Sequence, residues 1–461
     1  VARGRLALAG ARPRARAGRR AEPLPEGPTR ADLDRLEVER GGVVEWYVNE
    51  PQGVEQGFTV SASPLGSGPL SLRMELDTDL APRQTGEDAM AFADAGGADA
   101  LLYDGLLVWD ATGHELPARL AWDGGAGLSI EVEDAGAAYP LTIDPRIHTQ
   151  VAKLTASDGA AEDFFGNSVA VSGDTLVVGA PGDDVGSNAE QGSAYVFQRN
   201  QGGADQWGLV KQLTASDGAV DDRFGNSVAV SGDTTVVGAY LDDVGANFNQ
   251  GSAYVFQRNQ GGADEWGQVK QLVASDGAVD DEFGDSVAVS GDTVVVGAYL
   301  DDVGANGDQG SAYVFQRNQG GANEWGLVKQ LTASDGAAGD AFGSSVAVSG
   351  DTVVVGAVAD NVGPNVDQGS AYVFQRNQGG ADQWGLVKQL TVSDGALVDF
   401  FGTSVAVSGD TLVVGAPTDD VGANANQGSA YVFQRNQGGA DQWGQVKQLT
   451  ASDGAEARGG S

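Results

Sequence analysis

The sequence predicts an all-β chain in which a sandwich-like N-terminal domain precedes a repeated, blade-forming segment. Three observations carry that expectation. Glycine is abundant, 70 of 461 residues, without a collagen-like triplet period, which indicates many tight turns. Short apolar runs are bounded by Gly, Asp and Asn, the punctuation of strands. A block of sequence also recurs at a fixed step of 59 residues.

The repeat decides most of the fold. Phe-Gly pairs begin at Phe165, Phe224, Phe283, Phe342 and Phe401. Trp207, Trp266, Trp325, Trp384 and Trp443 keep the same step, as do Tyr195, Tyr254, Tyr313, Tyr372 and Tyr431. Within one unit, Ser168 to Ser172 reads as a strand closed by a Gly173-Asp174 turn, and Thr175 to Ala180 returns as a second. A Gly/Asp/Asn-rich loop leads to a third, Gly192 to Arg199. After the turn Asn200 to Asp205 comes a fourth, Trp207 to Ala215. The first three are apolar on both alternating faces: Tyr195 and Phe197 on one, Ala194 and Val196 on the other. A strand solvated on one side would alternate with polar residues, so these sheets are expected to be covered on both sides. Five four-stranded sheets at fixed period fit a β-propeller or partial propeller. A stacked β-solenoid is the rival, although its coils usually repeat at shorter periods.

The pair Phe165-Gly166 with Gly179-Ala180-Pro181, repeated as Phe401-Gly402 with Gly415-Ala416-Pro417, resembles the FG-GAP repeat. The middle copies replace Pro, reading Gly238-Ala239-Tyr240, Gly297-Ala298-Tyr299 and Gly356-Ala357-Val358. The likeness covers about residues 148–455 and extends to the N-terminal propeller of integrin α subunits and to bacterial secreted proteins. It implies a secreted or cell-surface module with an adhesive or other binding role. One departure is important. The family often carries an Asp-x-Asp-x-Asp-Gly calcium loop between its FG and GAP strands. Here that turn is only Ser172-Gly173-Asp174-Thr175, and its counterparts around Asp233, Asp292, Asp351 and Asp410 are as short. Calcium takes six to eight oxygens, which a two-residue turn with one carboxylate does not supply. The family's calcium sites are therefore not carried over, and no cofactor is expected.

Residues 1–30, rich in Arg, Pro, Ala and Gly, read as a basic low-complexity tail, either a disordered segment or an electrostatic anchor to an anionic surface. Residues 31–147 carry short strands at Val43 to Val48, Leu70 to Leu76, Leu101 to Trp109, Leu116 to Trp122, Leu128 to Val132 and Tyr139 to Ile143. That spacing suggests a β-sandwich. The phrases Glu45-Trp46-Tyr47, Glu55-Gln56-Gly57-Phe58 and Tyr139 to Pro145 are similar to a segment that precedes FG-GAP repeats in bacterial proteins. Residues 148–158 match the fourth strand and turn at 207–217, so an orphan outer strand is expected before the five units. Its three partner strands are expected after Ala455, with the next Phe-Gly due at position 460. The chain instead reads Arg458-Gly459-Gly460, so residues 456–461 are taken as a truncated tail and the ring as open or imperfectly closed. At the other end Leu6 to Ala11 is too short and interrupted for a signal-peptide core, and a leader lost with a missing N-terminus is the expectation.

Catalytic chemistry finds little support. His114 and His148 are the sole histidines and neither has a partner at metal-ligand spacing. A zinc hydrolase of the kind sometimes joined to FG-GAP propellers needs a histidine cluster, and a serine hydrolase needs a Gly-x-Ser-x-Gly elbow that is absent. There is no Cys for a disulfide or thiolate site, and no apolar run long enough for a transmembrane helix. A net charge of −37 disfavours nucleic acid. The expectation is a binding module and not an enzyme, with a passive spacer and a carboxylate-based glycan-active enzyme as alternatives.

The acid concentrates in two sets of loops that an antiparallel blade places at one end: those between strands two and three, and those joining one blade to the next. Against this acid stands a single base, Arg223. Asp221, Asp222, Asp242, Asp243, Asp280, Asp281, Asp301 and Asp302 are the candidate ligand-binding residues. A basic protein, a cell-surface ligand or weakly bound divalent cations are the expected partners. Arg199, Arg258, Arg317, Arg376 and Arg435 fall near the opposite end.

Overall fold

The computed structural model describes residues 14–15, 22–23, 29–32, 35–50, 53–64, 68–75, 78–94, 99–125, 127–148, 152–203, 206–262, 264–422, 424–437, 439 and 441–451. They contain strands and no helix. The chain divides into two compact units, Val1–Lys153 and Leu154–Ser461.

The first unit is a sandwich of two antiparallel sheets. One runs in the order Ala118–Trp122, Gly127–Val132, Leu70–Glu75, Arg14–Ala15, Glu22–Pro23. The other runs Thr29–Asp32, Arg35–Arg40, Val43–Glu50, Gly53–Val60, Leu141–His148, Asp99–Trp109, Met90–Ala93, Ala81–Gln84. Alternate residues of both sheets meet in one core: Leu72, Ile130 and Val132 from the first, Phe58, Met90, Val108 and Ile143 from the second. The strands Arg35–Arg40 and Gly53–Val60 escaped the sequence pattern because one is mostly charged and the other opens on Gly and Glu. Their polar residues are nonetheless placed with purpose. Glu45 is almost wholly buried and accepts hydrogen bonds from Arg40 Nε (2.7 Å), Tyr47 Oη (2.7 Å) and Gln56 Nε2 (2.9 Å). A buried carboxylate is tolerable only with such partners. Desolvation, followed by the hydrogen bond to Glu45, raises the Tyr47 pKa. Within the basic N-terminal segment, Arg14–Ala15 pairs with both Glu22–Pro23 and Leu70–Glu75, so this part is ordered into the sheet.

The second unit consists of five four-stranded antiparallel sheets arranged as propeller-like blades. The first blade runs Val169–Ser172, Thr175–Ala180, Ser193–Arg199, Trp207–Leu213, and the others repeat it. Each opens with a two-residue hairpin whose first position needs positive φ, and Gly173 supplies it at 57°. In the outer ladder Val196 pairs with Lys211 and Phe197 with Leu209, leaving Val210 as a bulge that increases strand twist.

The core of this unit lies between blades. Val236, Ala253, Val255 and Leu272 on the rear of the second blade form one cluster with Phe283, Val294, Val296, Tyr313 and Phe315 on the front of the third. Equivalent clusters join the first blade to the second, the third to the fourth and the fourth to the fifth. This is why the strands are apolar on both faces: each sheet is covered twice. Fully burying one such Phe contributes about 2–3 kcal/mol.

The expected orphan strand is corrected in part. Residues 152–156 form no strand, because no third strand of a preceding blade lies beside them among the described residues. Leu154 and Ala156 still pack on the front of the first blade, beside Tyr195 and Phe197. Residues 149–151 and the expected tail at 456–461 lie outside the described residues.

Candidate functional site

The two acidic loop sets do come together at one end of the blades, because the main chain ties them. Asp221 N donates to Ala189 O (3.0 Å) and Phe224 N to Gln191 O (2.8 Å), joining each inter-blade loop to the second loop of the preceding blade. Asp280 N to Phe248 O (2.9 Å) repeats the contact one blade on. Asp221 and Asp280 adopt positive φ, 65° and 63°, a conformation Asp tolerates better than most residues.

Half of the candidate carboxylates are scaffold, which corrects the sequence-based assignment. Asp222 and Asp281 are 2% exposed, and each curls back so that Oδ2 accepts from the main chain three residues earlier, Ala219 N and Ala278 N, both at 2.6 Å. Asp242 and Asp301 are buried too. Asp242 Oδ2 accepts from Tyr254 Oη (2.9 Å) and Gln271 Nε2 (3.3 Å); Asp301 Oδ2 accepts from Tyr313 Oη (3.1 Å) and Gln330 Nε2 (3.3 Å). The same tyrosines reach the loop that precedes their own blade: Tyr254 Oη lies 3.0 Å from Asp217 Oδ1 and Tyr313 Oη 2.9 Å from Asp276 Oδ1. Thus in each of the first four blades one Tyr clamps the two loops through a pair of carboxylates. These groups hold the rim in shape and are not available to a ligand.

Asp221, Asp243, Asp280 and Asp302 are exposed. Three of them are held by hydrogen bonds to neighbouring loop residues. Asp243 Oδ1 accepts from Asn249 N (2.9 Å), Asp302 Oδ1 from Asp308 N (3.0 Å) and Asp280 Oδ1 from Asn249 Nδ2 (2.9 Å). The single base, Arg223, is consumed locally by Glu190 and, at 3.6 Å, by Asp221.

The buried acids sense this crowding. Desolvation is the main cause that pushes the Asp222 and Asp281 carboxyls up to about 6, with Asp242 and Asp243, or Asp301 and Asp302, adding repulsion. Asp340 in the fourth blade is raised to about 6 by the same burial and by Asp360 and Asp335. Asp242 and Asp301 are raised as well, again chiefly by burial. No group of three or more His, Cys, Asp or Glu side chains among the described residues is placed to hold a metal ion.

The sequence profile of the FG-GAP repeat matches this chain five times, at residues 148–197, 207–256, 266–315, 325–374 and 384–433, more than half of its length. The chain belongs to the FG-GAP repeat family. No curated protein matches it. Among solved structures it is similar to Hsv2 of Kluyveromyces lactis, at 13% identity, covering 91% of this chain and 96% of that one with a TM-score of 0.35. A form of K. lactis Hsv2 with loop 6CD replaced by a Gly-Ser linker matches at 11% identity, covering 93% and 99%, also with a TM-score of 0.35. A likeness at that level carries no argument about function.

The FG-GAP signature itself is mechanical. Phe224 is fully buried between blades, with its ring 5.6 Å from Tyr254 and 5.9 Å from Phe256. Gly225 N donates to Gly238 O (2.9 Å), which links the Phe-Gly and Gly-Ala segments inside one blade. Across blades the backbones nearly touch: a Cβ on Gly179 would collide with the Gly225 carbonyl. The motif therefore serves blade stacking.

At the opposite end the arginines are engaged with the hairpin acids. Arg258 lies 3.7 Å from Asp233 and 2.7 Å from Asp264, and Arg435 2.7 Å from Asp441. Asp174, the one carboxylate of its short turn, sits 3.5 Å from Arg199. His114 is exposed in its turn, where its main-chain N–H donates to Asp110 Oδ1 (3.1 Å). The His148 side chain lies outside the described residues.

Proposed function

We propose that this FG-GAP array is a non-catalytic binding module of the cell surface or extracellular space, which holds a cationic partner on its acidic end. One observation carries the reading. Asp221, Asp243, Asp280 and Asp302 project into solvent from loops that are hydrogen-bonded to each other and clamped by buried Tyr–Asp contacts. The charge is thus held on a rigid support, and ordering it costs little when a partner arrives. Like charges on neighbouring blades focus an attractive field for a basic protein segment, each contact weak and the sum additive. The short hairpins at the opposite end leave no room for the family's calcium loop, so no cofactor is invoked. The family's secreted and surface-exposed members support the location.

The test is calorimetric titration with an oligolysine peptide at low ionic strength, comparing the natural chain with a D221N/D243N/D280N/D302N variant. Removing four rim charges should weaken binding by roughly tenfold or more. Absence of binding to the natural chain, or equal binding by both, would leave a passive spacer as the better reading. Recovery of the protein from the cytoplasm of its source cells would overturn the proposed location.

A further inference from the structure

The five blades differ from one another mainly at the acidic end. At the hairpin end every copy repeats Ser-Gly-Asp-Thr and Arg-Asn-Gln-Gly-Gly-Ala, and the two positions after the second phrase vary only among Asp, Asn, Gln and Glu. Exposure alone does not account for this contrast, because the hairpin residues Asp174, Asp233, Asp292, Asp351 and Asp410 are all exposed and all identical. At the acidic end the frame is just as constant, with Asp183, Asn188 and Gln191 recurring in each copy. The solvent-facing positions beside that frame change in kind. The place of Ala189 is taken by Phe248, Gly307 and Val366 in the next three blades, and that of Val220 by Val279, Ala338 and Leu397.

These two positions meet at each junction between blades, because one main-chain hydrogen bond joins their loops. Asp280 N donates to Phe248 O (2.9 Å), Gly339 N to Gly307 O (2.9 Å) and Val398 N to Val366 O (3.0 Å). Phe248 and Val279, 59% and 52% exposed, therefore share the junction of the second and third blades. Val366 and Leu397, 50% and 60% exposed, share that of the fourth and fifth with Val398. Apolar side chains left in water contribute little to folding. Val398 also sits at a φ of 66°, where β-branched residues are rarely found. Charge changes in step with this decoration. Asp243 and Asp280 both accept from Asn249, next to Phe248, whereas the fourth–fifth junction has Asn361 in place of Asp243 and Val398 in place of Asp280.

We propose that these two junctions are apolar subsites within the acidic end, and that they dock a basic segment of another protein that carries apolar side chains. At the second–third junction an apolar residue of that segment packs on Phe248 and Val279, while a neighbouring Lys or Arg pairs with Asp243 and Asp280. At the fourth–fifth junction an uncharged apolar residue covers Val366, Leu397 and Val398. The inference rests on the reading of the acidic end as the cation-binding surface, and adds that charge alone does not define the partner. The carboxylates beside Phe248 select a basic occupant and repel an anionic lipid surface.

Calorimetric titration of the full chain with two peptides of equal charge tests this: oligolysine, and a peptide with leucines set between its lysines. The natural chain should bind the lysine–leucine peptide about tenfold more tightly, with a more negative heat-capacity change. Phe248→Ser with Val279→Ser should remove much of that advantage, as should Leu397→Ser with Val398→Ser, and neither pair should alter oligolysine binding. All four side chains are exposed, so the variants should melt like the natural chain. Equal affinity for the two peptides, or an advantage that survives both pairs of substitutions, overturns this inference and leaves the acidic-end reading standing. Failure of both peptides to bind overturns both. Binding of phosphatidylcholine vesicles that the Phe248→Ser, Val279→Ser pair abolishes would make the occupant a lipid surface and overturn its assignment as a polypeptide.

Discussion

Replacing Phe283 by Ala should cost far more than the same change at Phe165, although the two occupy equivalent positions. Phe283 is fully buried, 5.4 Å from Tyr313 and 6.1 Å from Phe315 by ring centroid, and capped by Val236, Val255 and Leu272 of the preceding blade. A buried Phe→Ala change removes the transfer energy and leaves a cavity, together about 3–5 kcal/mol. Phe165 has the equivalent ring partners Tyr195 and Phe197 at 5.5 Å and 6.2 Å, yet among the described residues no preceding blade covers it. Its solvated side already faces water and any cavity fills with water, which leaves about 1–2 kcal/mol. The difference, about 2–3 kcal/mol, measures what one blade face adds to the next. Urea unfolding followed by tryptophan fluorescence, at a concentration where the chain is monomeric, supplies both values, with coincidence of the fluorescence and far-UV curves as the two-state check. Equal costs at the two positions would refute the argument that stability resides between blades.

Other outcomes follow from the same geometry. Asp222, Asp281 and Asp340 have folded pKa values near 6 against 3.8 for the unstructured side chain, so the folded state binds protons more tightly between those limits. Their burial destabilises the fold above pH 6, and that penalty is relieved as pH falls toward 4. The screened effect is about 1 kcal/mol per group, so scanning calorimetry should give a higher Tm at pH 5 than at pH 7.5, and Asp222→Asn should reduce the difference. Gly238→Ala should destabilise by several-fold more than Gly232→Ala. The first Cβ strikes the Gly284 carbonyl, whereas the second meets open space and costs only the strain of φ at 56°, about 1 kcal/mol. Chelation of calcium should leave the Tm unchanged, because each first hairpin is a two-residue turn; a fall of several degrees in the calorimeter would reveal ions held elsewhere.

The five blades, their strand limits within about two residues, and the end on which the acid gathers are legible in the sequence, because strand alternation and tight turns are local properties that repetition amplifies. What escaped was the division of each Asp pair into a buried and an exposed member. Asp221 and Asp222 are neighbours in a Gly/Asp-rich loop, and nothing in local composition says that one curls back onto Ala219 N while the other faces water. A signal was present in the comparison of the copies. The buried position is Asp in all five, at Asp163, Asp222, Asp281, Asp340 and Asp399, while the position before it varies as Glu162, Asp221, Asp280, Gly339 and Val398. Asp183 and its repeats Asp242, Asp301, Asp360 and Asp419 are likewise constant beside a position that admits Asn361. In the first unit, Glu45 shows the same limit: a carboxylate inside a sandwich is foreseeable only when Arg40, Tyr47 and Gln56 are known to converge on it.

The most direct test of the account is the salt dependence of oligolysine binding, measured for the natural chain, the D221N/D243N/D280N/D302N variant and an R258Q/R317Q variant at the opposite end. Exposed rim charge requires affinity to fall steeply with added salt in the natural chain and in the arginine variant, and the slope to flatten in the rim variant. A slope left unchanged by the four rim substitutions, or lost only when Arg258 and Arg317 are replaced, would contradict the assignment of the acidic end as the binding surface.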